Sequence, residues 1–120
     1  MRDFRTLKVW QAAHRLTLDV YKVTKRYPRE ELYGLTGQSR ASSSSVPTNI
    51  EEGCGRGGAR EFSRFLKIAA GSATELDYQL LLARDLEYLL EADYLRLNEQ
   101  LIEVKKMLRS LIERVEQDCS

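Results

Sequence analysis

In the last third of the chain, apolar residues recur with alternating steps of three and four: Tyr94, Leu97, Leu101, Val104, Leu108, Leu111 and Val115. That spacing places one apolar seam along one long helix, because positions a and d of successive heptads fall on the same face. The N-terminal segment repeats the pattern with Val9, Ala13, Leu16, Val20, Val23 and Tyr27, flanked by Trp10 and Tyr21. It is predicted to end at Tyr27, since Pro28 disfavours a helical conformation in the residue before it. A third segment, roughly 59–90, puts Phe62, Leu66, Ala69, Ala73, Leu76, Leu80 and Ala83 on one face and adds Phe65, Ala70, Leu81 and Leu82 beside it. So wide a stripe can touch two neighbours. The small residues Ala69, Ala70, Gly71, Ser72 and Ala73 predict a close helix crossing near Gly71.

The segment from about Glu30 to Gly53 keeps heptad spacing at Leu32, Leu35, Ser39, Ser42, Val46 and Ile50, yet its middle is serine. One reading is a continuous helix kinked near Pro47, because proline cannot donate to residue 43 and crowds that carbonyl. The other is a fresh helix with Pro47 in its first turn, capped by Ser45 or Thr48; Thr48-x-x-Glu51 has capping-box spacing. The unbroken spacing favours the continuous helix, with serines 42–45 as small packing residues whose hydroxyls bond back to the preceding turn. Breaks near 27–30, 54–59 and 90–93 then separate four amphipathic segments. The expected fold is all-α: a single domain, 1–120, forming an up-down-up-down antiparallel four-helix bundle. No segment alternates with period two, so strands are not expected.

Composition narrows the class without changing the fold. The 120 residues are 42% hydrophobic and 31% charged with two prolines, as in a folded helical protein. No run of about 18 apolar residues and no signal-peptide core is present, which makes a cytoplasmic location without membrane contact the expectation. Cys54 and Cys119 lack any C-x-x-C spacing and are read as two reduced thiols. Net charge is +1 but uneven: residues 1–29 carry +6 and residues 72–120 carry −5. Such asymmetry suits helix pairing, subunit docking or attraction of a polyanion.

Candidate chemistry is sparse. The serine run has no G-x-S-x-G context, and His14 is the only imidazole, so nucleophilic catalysis is not supported. Gly53, Gly55 and Gly58 spell G-x-G-x-x-G, but a helical segment rather than a strand leads into them, which removes the context a dinucleotide site needs. No Glu-x-x-His pair is present for a di-iron centre. Neither metal nor cofactor is expected. What stands out is a basic stripe: Arg56, Arg60 and Arg64 every four residues, then Lys67, on one face at the start of the third helix. With Gly55, Gly57 and Gly58 beside a helix N-terminus, this could admit phosphate; with Glu52 and Glu61 nearby, it could equally be a solvated, self-neutralised face.

Several motifs carry a family resemblance: Phe4-Arg5-x-Leu7-x-Val9-Trp10-Gln11, Tyr33-Gly34-Leu35-x-x-Gln38, Ser45-Val46-Pro47-x-Asn49-Ile50-x-Glu52-Gly53, and Glu61-Phe62-x-Arg64-Phe65-Leu66-x-Ile68-Ala69-x-Gly71-Ser72-x-x-Glu75-Leu76. In order and spacing the chain resembles the four helix bundle protein family, also called 23S rRNA-intervening sequence proteins. The resemblance implies a four-helix subunit of a ring, typically a homopentamer, with Pro47, Asn49, Glu52 and Gly53 as a structural motif. It also connects the chain to accessory proteins of diversity-generating retroelements, which bind nucleic acid and partner a reverse transcriptase. Two departures stand out: Arg40 is alone before Ala41 and four serines, and the net charge of +1 is well below that of the strongly basic retroelement proteins.

Leu7, Trp10, Leu18 and Tyr21 lie off the first helix's seam, more apolar surface than one small bundle hides, and are the expected subunit contacts. Together these observations describe a non-enzymatic, ring-forming structural or interaction protein, with RNA or DNA as ligand at Arg56, Arg60, Arg64 and Lys67. The alternative is an assembly adaptor that binds a protein partner and no nucleic acid.

Overall fold

In the computed structural model, which describes residues 3–119, the chain begins with a 3-10 turn at Phe4–Thr6. The Asp3 carboxylate caps this turn by accepting the Arg5 N–H at 3.1 Å. Helix α1 (Lys8–Thr24) follows, then a second 3-10 turn at Arg29–Glu31, and then α2 (Leu35–Arg56), α3 (Ala59–Asp85) and α4 (Glu91–Gln117). No strand occurs among the described residues. A helix of 27 residues is about 40 Å long, and the molecule measures 47 × 23 × 21 Å, so α3 and α4 set its length.

The three apolar seams form the core as their spacing predicts. Val9, Ala13, Leu16, Val20, Val23 and Tyr27 of the first segment are all buried, as are the seven seam residues of α3 and the run from Leu97 to Val115 on α4. Tyr94, expected on the same seam, is half-buried under the Arg84 guanidinium, 4.5 Å from its ring. α1 stops at Thr24 rather than Tyr27, its last residues tightening into bonds from Arg26 N–H to Val23 and Tyr27 N–H to Thr24. Tyr27 still reaches the core. Burial, and then the charge of Asp93, push its phenol up to about 12.

α2 runs unbroken through Pro47, so the continuous helix prevails over a fresh start there. Proline leaves the Ser43 carbonyl without its usual N–H partner. The Thr17 hydroxyl lies 2.9 Å from that carbonyl and 2.8 Å from the Ala13 carbonyl of its own helix, sharing one proton between them. Two of the four serine hydroxyls turn back as expected, Ser43 to the Arg40 carbonyl and Ser44 to Ala41, whereas Ser45 reaches across to Ser72. Leu32, expected on the α2 seam, lies outside the helix and is 46% exposed. The 3-10 turn and Gly34 delay the helix start to Leu35, whose N–H is capped by the Glu31 carboxylate at 3.0 Å. The same carboxylate accepts the Tyr88 hydroxyl, also at 3.0 Å, and so ties the start of α2 to the α3–α4 connection.

Side-chain pairs give the helix directions. Asp19 meets Gln100 and Arg26 meets Asp93; Thr17 meets Ser43 and Thr24 meets Arg40; Lys67 meets Glu116 and Asp77 meets Lys105. Ser45 meets Ser72, and Gly53 packs on Phe62 and Phe65. In each set the numbers rise on one helix as they fall on the other, so these neighbours run antiparallel. α1 and α3 each touch α2 and α4, and the diagonal pairs make no comparable contact among the described residues.

The close crossing is not at Gly71, which is exposed and would carry a Cβ in open space. It lies at Gly53, where a Cβ would come within 2.9 Å of the Phe62 ring and 3.0 Å of Phe65 Cβ. The small residues around Gly71 do not share one face. The helical phase instead turns Ala69, Ser72 and Ala73 inward and leaves Gly71 outside.

Candidate functional site

The basic stripe is split between two helices. Arg56 is the last residue of α2, whereas Arg60, Arg64 and Lys67 belong to α3, so the four do not share one helical face. Gly57 (φ 70°) and Gly58 (φ 90°) make the reversal between them, in the left-handed region that glycine adopts without a side-chain clash. The helix therefore ends past Gly53, because packing against Phe62 and Phe65 outweighs the low helix propensity of Gly53 and Gly55.

Three of the four cations face carboxylates. Arg56 Nε lies 3.4 Å from Glu52, Arg64 Nε 2.8 Å from Glu61, and Lys67 Nζ 2.6 Å from Glu116. The hydrogen bond from Arg64 holds the Glu61 carboxyl below its ordinary range, and the hydrogen bond from Lys67 does the same to Glu116. Arg60 is exposed and makes no ion pair among the described residues. Arg56 and Arg64 also flank the Phe65 ring, their guanidinium carbons 5.3 and 4.4 Å from its centre. The N-terminus of α3 has no side-chain cap, and Gly55, Gly57 and Gly58 leave open space around it. The C-terminus of α2 sits beside it, however, and its opposing dipole reduces the attraction for an anion. This surface is nearly neutral.

The motif residues make their contacts within the bundle. Pro47 is buried, and the carbonyl it frees is satisfied by Thr17. Asn49 donates to the Ser45 carbonyl at 2.8 Å and lies 2.9 Å from the Ser45 hydroxyl, which in turn meets the Ser72 hydroxyl at 2.8 Å. This polar chain links α2 to α3. Glu52 pairs with Arg56, and Gly53 provides the close approach.

The four expected subunit contacts divide. Leu7 and Trp10 pack against the protein's own core; Trp10 stacks on His14 at 5.0 Å and meets Phe4 edge-on at 5.1 Å. The 3-10 turn at Phe4–Thr6 brings Phe4 over that position, which helical periodicity alone could not show. Leu18 and Tyr21 are 50% and 40% exposed. Around them lies a basic surface that the charge excess of residues 1–29 signals without showing its arrangement: Lys8, Arg15 and Lys22, spaced by seven, with Lys25 alongside. All four are exposed and make no ion pair among the described residues. Heptad spacing of basic residues was the available signal. Arg26, just past the end of α1, is the one cation of this region that pairs with a carboxylate of α4 among the described residues, while Asp19 of α1 turns to Arg96 and Gln100.

Among the described residues, no group of three or more His, Cys, Asp or Glu side chains could hold a metal ion. Cys54 is buried, Cys119 is exposed, and they form no disulfide. No described helix is long and apolar enough to cross a membrane.

No curated protein matches the chain. A solved structure does: a protein of unknown function from the S23 ribosomal protein family of Bacteroides thetaiotaomicron VPI-5482 is similar at 26% identity and a TM-score of 0.80, over 87% of this chain and 97% of that one. The family model described as 23S rRNA-intervening sequence protein matches residues 5–110. With nearly the whole bundle inside that match, the chain belongs to the 23S rRNA-intervening sequence protein family.

Proposed function

We propose that this protein is a non-enzymatic, cytoplasmic subunit of a homo-oligomeric ring, a pentamer by family resemblance, that associates with RNA or DNA through the outer face of α1. The observation that carries this reading is the row Lys8, Arg15 and Lys22, exposed and without carboxylate partners among the described residues. At 1.5 Å per residue the row spans about 21 Å, enough to face several phosphates of a nucleic acid. Exposed Leu18 and Tyr21 between the cations offer apolar contact to sugars and bases. The surface at Arg56, Arg60, Arg64 and Lys67 is the weaker phosphate site, since three of its charges face carboxylates.

Fluorescence anisotropy with a structured RNA and a duplex DNA at several salt concentrations tests this. The expected result is affinity that falls steeply with salt, with a slope reduced by roughly one per cation removed in a Lys8/Arg15/Lys22-to-Gln variant. An Arg56/Arg60/Arg64-to-Ala variant should lose far less. Absence of binding at low salt overturns the nucleic-acid reading, and a chain that sediments as a monomer at micromolar concentration overturns the ring.

The second reading is an adaptor that binds a protein partner and no nucleic acid. Leu18 and Tyr21 support it, because exposed apolar side chains in a charged frame also suit a protein surface. The same titration separates the two.

A further inference from the structure

A cavity of about 440 Å³ opens where the end of α1, the second 3-10 turn and the first turns of α2 meet. Its charged lining is entirely basic: Lys25, Arg29 and Arg40. The groove between the start of α1 and α4, by contrast, sets Glu103 against Lys8, Lys106 and Arg114. Near the first cavity, Glu31 directs its carboxylate to the Leu35 N–H and the Tyr88 hydroxyl, and Glu30 is not part of the lining.

Arg40 is fixed in place there. Its Nε donates to the Thr24 hydroxyl at 2.9 Å, and its guanidinium carbon lies 5.0 Å from the centre of the Tyr21 ring. The Thr24 hydroxyl can accept this bond because its own proton goes to the Val20 carbonyl at 2.8 Å. Arg40 is thus a half-buried cation with no carboxylate partner among the described residues. A half-buried guanidinium held in place without a counter-charge is a ready partner for an anion entering the cavity. Lys25 and Arg29 approach from two other elements and are likewise unpaired among the described residues. Pro28 and Leu32 give the lining an apolar side, and Leu32 is 46% exposed.

We infer that this cavity binds the phosphate group of a nucleotide, with Arg40, Lys25 and Arg29 on the phosphate and Pro28 and Leu32 against the sugar or base. The volume lies in the range of small-ligand sites. The three positive charges suit the dianion of a phosphomonoester better than the single charge of a phosphodiester. That chemistry has two sources, a free mononucleotide and the 5′-phosphorylated end of a strand. The inference does not depend on the row Lys8, Arg15 and Lys22, none of which lines the cavity, although Lys25 borders both surfaces.

Isothermal titration of the full chain with AMP, and with adenosine as the uncharged control, tests it. AMP is expected to bind at least tenfold more tightly than adenosine. Lys25→Gln with Arg29→Gln should weaken AMP about tenfold or more, as loss of charge-assisted hydrogen bonds does. Both are exposed surface positions, so the double variant should keep the parent melting temperature, and Arg40→Gln provides the stronger but less conservative comparison. Equal binding of AMP and adenosine, AMP affinity unchanged in the double variant, or no AMP binding at about 10 mM would each overturn the inference. Displacement of AMP by an RNA with a 5′-phosphate but not by the same RNA with a 5′-hydroxyl assigns the cavity to strand ends. Displacement by neither assigns it to free nucleotides. A Lys8/Arg15/Lys22-to-Gln variant that binds AMP normally separates this site from the α1 surface.

Discussion

α2 and α4 occupy equivalent places at opposite corners of the same bundle and meet their neighbours with opposite chemistry. α4 presents Leu97, Leu101, Val104, Leu108, Leu111 and Val115, all buried, while its polar bonds to α1 and α3 run from residues off that seam. α2 presents Ser39, Ser42, Ser43, Val46, Pro47, Ile50 and Gly53, and has far less apolar surface to bury. It compensates by proximity. Its small residues let α1 and α3 approach, and hydroxyls from three helices satisfy polar groups that would otherwise be orphaned. The same four-helix cross-section can therefore be filled by volume at one corner and by close backbone approach with hydrogen bonding at the other. The two modes differ in what breaks them.

Truncation should damage α4 most. Leu101→Ala removes a side chain that is 1% exposed, and the lost transfer energy plus the cavity should cost about 2–5 kcal/mol in chemical denaturation. The corresponding injury to α2 is enlargement. Gly53→Val forces a branched side chain into the space held by Phe62 and Phe65 and should cost roughly 3 kcal/mol, the upper end of overpacking. Gly71→Val, on the open side of α3, is the control and should lose no stability through packing. If Gly53→Val proved as mild as Gly71→Val, close approach would not be what holds α2.

The Thr17 hydroxyl provides a third contrast, because it serves α2 from another helix. Thr17→Val keeps the shape but leaves the Ser43 carbonyl with neither the Pro47 N–H nor a side-chain donor, which should cost about 2 kcal/mol. Thr17→Ser should retain most of the stability. Replacing Pro47 with Ala restores a backbone donor to Ser43, so Thr17→Val should cost less in that background. An unchanged penalty in the double-mutant cycle would refute the coupling.

The difference between the two helices also explains how much could be read from the chain. Apolar spacing locates α1, α3 and α4 and nearly every core residue on them, since burial by volume leaves a periodic signal. For α2, Leu35, Val46 and Ile50 carried the phase and the continuity through Pro47. The glycines misled: Gly53 looked like a helix end and Gly71 like a crossing, because what a glycine does depends on what its missing Cβ would have met. Thr17 left only a faint trace, a threonine seven residues before Thr24 beside the apolar seam. The basic positions Arg56, Arg60, Arg64 and Lys67 and the neighbouring carboxylates Glu52 and Glu61 stand in the sequence, but the third partner and the split of the stripe between two helices do not. Glu116 lies on another helix, and the turn at Gly57 and Gly58 moves Arg56 off the shared face. Arg40 was noted only as an isolated charge; its hydroxyl partner at Thr24 and its place beside the cavity emerge from the pairing of α1 with α2.

The smallest expected effect lies at the other polar link of α2, the chain from Asn49 through Ser45 to Ser72. Ser45→Ala removes the hydroxyl that bridges the two helices but leaves the Ser45 carbonyl to accept from Asn49. The buried Ser72 hydroxyl then loses its cross-helix partner, and the net loss should be about 1 kcal/mol. Changing Ser45 and Ser72 together to Ala removes both ends of the bond and orphans neither, so the double variant should lose less than the sum of the singles. If the two losses simply add, the hydroxyl pair is not a stabilising contact and α2 is held on α3 by Gly53 and its neighbours alone. A smaller combined loss would make the serines of α2 working substitutes for the leucines it lacks, joining at this corner what α4 joins by volume.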